Sequence, residues 1–163
     1  MKQDGLLSKS KRVVIKVGTS NLTENNRLSE SKVKNLVDKL MKLKNNKKEL
    51  ILVSSGAIGA GMSKLGLKQK PRDVKMLQAT AAVGQNELMK VYGRYFSKYK
   101  QSIAQVLLTY EDFEERGRYL NLRNTINTLL KMNVVPVINE NDTVAVEEIK
   151  LGDNDNLDRK SVV

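Results

Sequence analysis

Short runs of β-branched and apolar residues recur along the chain, at positions 12–17, 49–54, 102–108 and 134–138, with helix-period segments between them. Each run has the length and composition of a buried strand. After the first, Val33, Leu36, Val37, Leu40 and Met41 repeat at i, i+3, i+4, i+7 and i+8, which is one face of an amphipathic helix. A glycine-rich turn follows Ser54 and leads into a long helical pattern whose apolar face is Leu88, Val91, Tyr92, Tyr95, Phe96 and Tyr99. Leu122, Ile126, Leu129 and Leu130 mark a further helix. Strands joined by helix-length crossovers pair in parallel through right-handed connections. The expectation is an α/β domain, a mainly parallel sheet with helices on both faces. Pro136 has no N–H for a ladder, which argues for an edge position or a weaker strand there. Beyond Asn139 the pattern is loop-like, with short apolar pieces at 143–146 and 148–151 that could form a hairpin.

Composition removes several function classes. The 163 residues suffice for one domain with a real core and are too few to expect two. No histidine is present, so a Ser-His-Asp triad, a histidine base and a histidine metal ligand are excluded. No cysteine is present either, which excludes disulfides and thiolate metal sites. No apolar run approaches the roughly 20 residues that cross a bilayer, and residues 1–11 lack the apolar segment of a secretory signal. A cytoplasmic protein without a membrane partner is expected.

The net charge of +11 invites a nucleic-acid-binding module as one reading. Against it, lysines are spread along the chain, with the densest stretch at 39–48, and aromatics make up only 4%. Attraction for a polyanionic small molecule such as a nucleotide explains the charge as well.

Ligands of open α/β sheets bind beyond the carboxyl ends of the strands. There the first strand presents Lys16 and Gly18-Thr-Ser20, and the second Ser54-Ser-Gly-Ala-Ile-Gly-Ala-Gly61. The third presents Thr109-Tyr-Glu-Asp112 and the fourth Asn139-Glu-Asn-Asp142. Residues 54–61 read as an anion cradle at a helix N-terminus, or alternatively as a turn with small residues for packing. Their glycine order fits neither a dinucleotide fingerprint nor a P-loop. Lys16 sits in an apolar strand, where an ammonium is costly to bury, and reads as a phosphate-neutralising group or as a snorkelling edge lysine. Asn139-Glu-Asn-Asp142 and Gly152-Asp-Asn-Asp-Asn156 suit a zwitterion, with carboxylates for its ammonium and amides for its carboxylate. No metal site is expected from Asp153 and Asp155, because the rest of a calcium loop is missing.

Taken together, five segments resemble the glutamate 5-kinase family of the amino-acid kinase superfamily. They are Val13-Val-Ile-Lys-Val-Gly-Thr-Ser20, Ile51-Leu-Val-Ser-Ser-Gly-Ala-Ile-Gly-Ala-Gly61, Ala82-Val-Gly-Gln85, Val134-Val-Pro-Val-Ile-Asn-Glu-Asn-Asp142 and Gly152-Asp-Asn-Asp155. The resemblance runs from about Arg12 to Leu157. It implies an αβα sandwich and transfer of the γ-phosphoryl group of Mg2+-bound ATP to the L-glutamate side chain, the first step of proline biosynthesis. On that pattern Lys16 is the ATP-contacting, catalytic lysine, and Ser55, Asp142 and Asn154 bind substrate. Asn139, Asp153 and Asp155 are helpers. The family pattern also implies proline as a feedback inhibitor, to which Glu111 and Asp112 could contribute, and a homo-oligomer at full length. The nearest rivals are kinases for N-acetylglutamate or for a nucleoside monophosphate, against which the 139–142 and 152–155 motifs argue.

The chain departs from the family pattern after Leu157. Residues 1–157 are expected to be the N-terminal portion of a kinase domain, truncated before its nucleotide-binding half. Residues 158–163 break the pattern abruptly and can be encoded by a common sequencing-adapter motif, so a non-native tail is expected there.

Overall fold

The structure, a computed structural model, describes residues 10–45 and 47–145. The motif at 152–155 with Asp153, Asn154 and Asp155, the apolar piece at 148–151 and the tail at 158–163 lie outside the described residues.

The apolar runs form strands β1 (Arg12–Lys16), β4 (Glu49–Val53), β5 (Ile103–Leu108) and β6 (Val135–Glu140). They make one four-stranded sheet in the order β1-β4-β6-β5, with every pairing parallel. A small antiparallel hairpin, β2 (Thr23–Glu24) and β3 (Arg27–Leu28), follows β1. The helices are α1 (Glu30–Lys44), α2 (Ala57–Leu65), α3 (Val74–Ser97), the single turn α4 (Glu111–Glu114) and α5 (Arg116–Lys131).

Side-chain alternation divides the core in two. Val13, Leu50, Leu52, Val135 and Val137 face α1 and α3, meeting Val33, Val37 and Leu40 from the first and Leu88, Tyr92 and Phe96 from the second. Ile51, Val53, Leu108 and Ile138 face α5, meeting Leu122, Ile126 and Leu130. The expected αβα layering is therefore present. Full burial of a side chain such as Phe96 or Ile126 contributes roughly 1.5–3 kcal/mol. Val14 on β1 and Leu107 on β5 stay 38% and 37% exposed, so neither outer strand is covered on both sides.

Local signals set the helix ends. Asp73 accepts from the Met76 N–H at 3.0 Å and starts α3. Glu115 accepts from the N–H groups of Gly117 and Arg118 and starts α5. Gly66, with φ of +67°, ends α2 in the left-handed conformation that glycine adopts freely.

Three details differ from expectation. The hairpin at 23–28 is new; Asn25 and Asn26 make its turn with φ of 50° and 60°. The glycine-rich turn is only Ser54 to Gly56, because α2 begins at Ala57. Pro136 lies in an interior strand, flanked by β4 and β5, and not at an edge. The Val135 N–H points to β5, where it donates to the Ser102 carbonyl at 3.0 Å. Backbone N–H groups alternate sides along a strand, so the Pro136 nitrogen faces β4. The β4 ladder begins only at Val137, so no bond is lost.

Candidate active site

Parallel register brings the polar strand exits to one edge. Lys16 pairs with Val53, Val53 with Ile138, and Ile138 with Val106. The next residues of each strand therefore leave the sheet side by side: Val17 and Gly18, Ser54 and Ser55, Asn139 to Asp142, and Leu108 and Thr109. Lys16, Ser55, Asn139 and Asp142 meet at this edge.

Lys16 is the last residue of β1 and is half-buried. It alternates onto the same side as Val14, which α5 leaves open. Because β1 is an outer strand, the ammonium has a route to water, and the cost of burying it is smaller than an interior strand would impose. Edge position is a property of topology, which the local sequence does not carry.

At the β4 exit, Ser54 is fully buried and its N–H donates to the Ile138 carbonyl at 2.8 Å. Its hydroxyl lies 2.9 Å from that of Tyr92 and 3.2 Å from the Ser55 carbonyl, to which it donates. Burial pushes the Tyr92 hydroxyl well above its ordinary range, with the Ser54 bond opposing, so this phenol stays neutral. Gly56 turns the chain with φ of +91°, a conformation a side chain would strain. Helix α2 then starts with no side-chain cap and no acidic residue in its first turn. Its positive end, just past Ser55, favours an anion.

The remaining glycines of this stretch serve packing. A Cβ on Gly61 would lie 1.9 Å from the Thr80 carbonyl oxygen, and one on Gly59 would lie 2.8 Å from Thr23 Cγ2. Of the 54–61 stretch, only Ser55 and Gly56 lie in the turn before α2, while Gly59 and Gly61 allow close approach of the hairpin and α3.

At the β6 exit, Asn139 and Glu140 are buried at 4% and 5% exposure. Asn139 Oδ1 accepts from the Glu140 N–H at 3.0 Å, and Gln85 Nε2 donates to the Glu140 carbonyl at 3.1 Å. The Asn141 N–H donates to Leu108 O at 2.7 Å, and the Asn141 carbonyl accepts from Val144 and Ala145. Half-buried Asp142 sits in this turn. Sequence reasoning assigned no role to Glu140, Gln85 or Tyr92, although the first two lie in the quoted motifs.

At the β5 exit, Asp112 accepts from the Thr109 N–H at 2.7 Å and from Arg118 Nε at 2.8 Å. Burial alone would raise its carboxyl, but the Thr109 N–H and the Arg118 guanidinium outweigh that and hold it below the usual aspartate value. Glu111 is exposed, and its carboxyl is lowered chiefly by the Thr109 hydroxyl. Among the described residues no group of three or more acidic side chains could hold a metal ion. A recess of about 520 Å³ runs along the hairpin, lined by Glu24, Asn25, Arg27 and Lys68; no candidate site residue lines it.

The parallel sheet thus brings a lysine, the N-terminus of a helix and a carboxylate-amide loop to one carboxyl edge. The Amino acid kinase family pattern matches residues 11–157, and the chain belongs to that family. Glutamate 5-kinase of Caldanaerobacter subterraneus subsp. tengcongensis is 55% identical over 147 residues, 90% of this chain and 40% of that protein. The glutamate 5-kinase of Moorella thermoacetica is 53% identical over 152 residues, 93% of this chain and 40% of that protein. The chain thus spans about 40% of the length of these curated relatives. A solved carbamate kinase from Giardia lamblia bound to AMP-PNP gives 14% identity and a TM-score of 0.48, over 82% of this chain and 57% of that one. That likeness is too slight to argue from. No helix among the described residues is long and apolar enough to cross a membrane.

Proposed function

We propose that this chain is the acceptor-side portion of an ATP-dependent kinase that phosphorylates the side-chain carboxylate of L-glutamate to glutamyl 5-phosphate. The observation that carries the reading is the convergence of Lys16, Ser55 and Asp142 on one sheet edge. It occurs within a stretch 55% identical to a glutamate 5-kinase. Residues 1–157 are then the N-terminal portion of the kinase domain.

In this reading the amino acid lies between the Ser55 turn and the Asn139 to Asp142 loop. The Ser55 hydroxyl and the α2 N-terminus hold a carboxylate, and Asp142 holds the ammonium. Asn154 adds an amide donor, and Asn139, Asp153 and Asp155 support these groups. A side-chain carboxylate oxygen attacks the γ-phosphorus while the bond to the β,γ-bridging oxygen breaks, and ADP leaves with that electron pair. The nucleophile is already ionised at neutral pH and no proton moves, so the step needs no histidine base. Catalysis reduces to alignment and charge stabilisation. Lys16 offsets the charge on the transferred group, and Mg2+ enters as part of the nucleotide substrate, held chiefly by phosphates. The family resemblance adds a cytoplasmic homo-oligomer restrained by proline, with exposed Glu111 as a residue that could sense it.

The test uses the full-length protein with ATP and hydroxylamine, which traps an acyl phosphate as its hydroxamate. Hydroxamate formation is expected with L-glutamate. N-acetylglutamate should yield none, and a nucleoside monophosphate should yield no diphosphate. Preference for either rival acceptor overturns the reading.

A further inference from the structure

Gln85 lies on α3, far in sequence from the strand exits, yet it reaches them. Its side chain is 7% exposed, and Nε2 donates to the carbonyl of Glu140, the last residue of β6. Asp142 follows two positions later. The neighbouring residue, Gly84, abuts the other loop: a Cβ there would lie 1.7 Å from the carbonyl oxygen of Ala57, the first residue of α2. Two consecutive residues of one helix therefore bear on the two segments that carry Ser55 and Asp142. One contact is steric and the other is a directed hydrogen bond. The bond from Ser54 N–H to Ile138 O also ties β4 to β6, but it lies upstream of both loops. Beyond it, α3 bears on both exits through Gly84 and Gln85.

We infer that Gln85 is a positioning residue that sets the gap between Ser55 and Asp142, and thereby the fit of the amino-acid acceptor between them. The inference rests on the glutamate-kinase reading. Gln85 acts through the Glu140 carbonyl and needs no contact with the acceptor. An amide-to-carbonyl bond carries no net charge, so its loss alters geometry and leaves protonation alone. Misplacement of a bound reactant by about 1 Å can cost on the order of 100-fold in rate, so a modest shift of this loop is enough to measure.

The experiment compares Gln85→Leu, Asp142→Ala and the double variant in the full-length protein. For Gln85→Leu, KM for glutamate should rise about tenfold, with KM for ATP and the pH profile unchanged, because a single lost hydrogen bond is of that order. The double variant should be no worse than Asp142→Ala alone, since both changes spoil one contact. An unchanged glutamate KM in Gln85→Leu, a parallel rise for both substrates, or fully additive losses overturns the inference. Should Gln85→Leu fail to fold, Gln85→Met keeps the side-chain length, lacks the donor and is read the same way. If Asp142→Ala leaves the glutamate KM unchanged, the glutamate reading falls and takes this inference with it. An Asp142 effect without a Gln85 effect overturns the inference alone.

Discussion

The hydroxyls of Tyr92 and Ser54 lie 2.9 Å apart, and neither residue is exposed to solvent. The pair ties the C-terminal third of α3 to the residue where β4 gives way to the Ser55 turn. Tyr92→Phe removes one partner and leaves the Ser54 hydroxyl with a weaker set of bonds in a dry site. A loss of about 1 kcal/mol in denaturant unfolding is expected. Adding Ser54→Ala should cost less than the sum of the two single changes, because the second removes the group the first left poorly satisfied.

Two glycines of α3 should respond to alanine with opposite signs. Gly84→Ala drives a methyl into the Ala57 carbonyl and should destabilise by about 3 kcal/mol, since backbone on both sides must move. Gly93 has nothing within 4 Å of its would-be Cβ and lies inside the helix. Gly93→Ala should stabilise by about 0.5–1 kcal/mol through helix propensity and a less mobile unfolded chain. Equal effects at the two sites would contradict the packing described.

Asp112 makes acid stability testable. Its carboxyl is held below the unfolded value, so the ionised form adds stability above that value and loses it as pH falls through the folded value. Compared with Asp112→Asn, the parent should be more stable at neutral pH, and the gap should close below about pH 4. Thermal unfolding of both proteins across pH 2–7 checks it, and a constant gap would refute it. Arg118 is 55% exposed, so added salt should shrink the difference.

Lys16→Ala should lower turnover of the full-length protein by about 100-fold or more while changing glutamate binding little, because charge on the transferred group is greatest in the transition state. Single-turnover kinetics beside calorimetric glutamate titration separates the two quantities. Unchanged turnover would remove Lys16 from the chemistry.

Much of this architecture was legible beforehand because it depends on short-range periodicity. The strands, the apolar faces of α1 and α5, and the polar strand exits all follow from residue spacing and one topological rule. The hairpin was not legible, since strands of two residues carry no period and only Asn25-Asn26 hinted at it. The start of α2 was hidden for a different reason. Residues 57–61 include two glycines, which disfavour helix, and their tolerance comes from α3 crossing close by. Tyr99 read as part of the α3 face lies past its end, where its hydroxyl donates to Asp38 at 2.8 Å. The roles of Gln85 and Tyr92 depend on partners 55 and 38 residues away, beyond any local pattern.

Helices α2 and α3 meet backbone to backbone at Gly61 with Thr80 and at Gly84 with Ala57, leaving no room for a methyl group at either crossing. Selection would then act on these two positions as severely as on a group that touches substrate. Across species, Gly61 and Gly84 should be as invariant as Lys16, although they perform no chemistry. A hunt for catalytic residues guided by invariance alone would return both glycines, and only the geometry of the crossing shows that their part is structural.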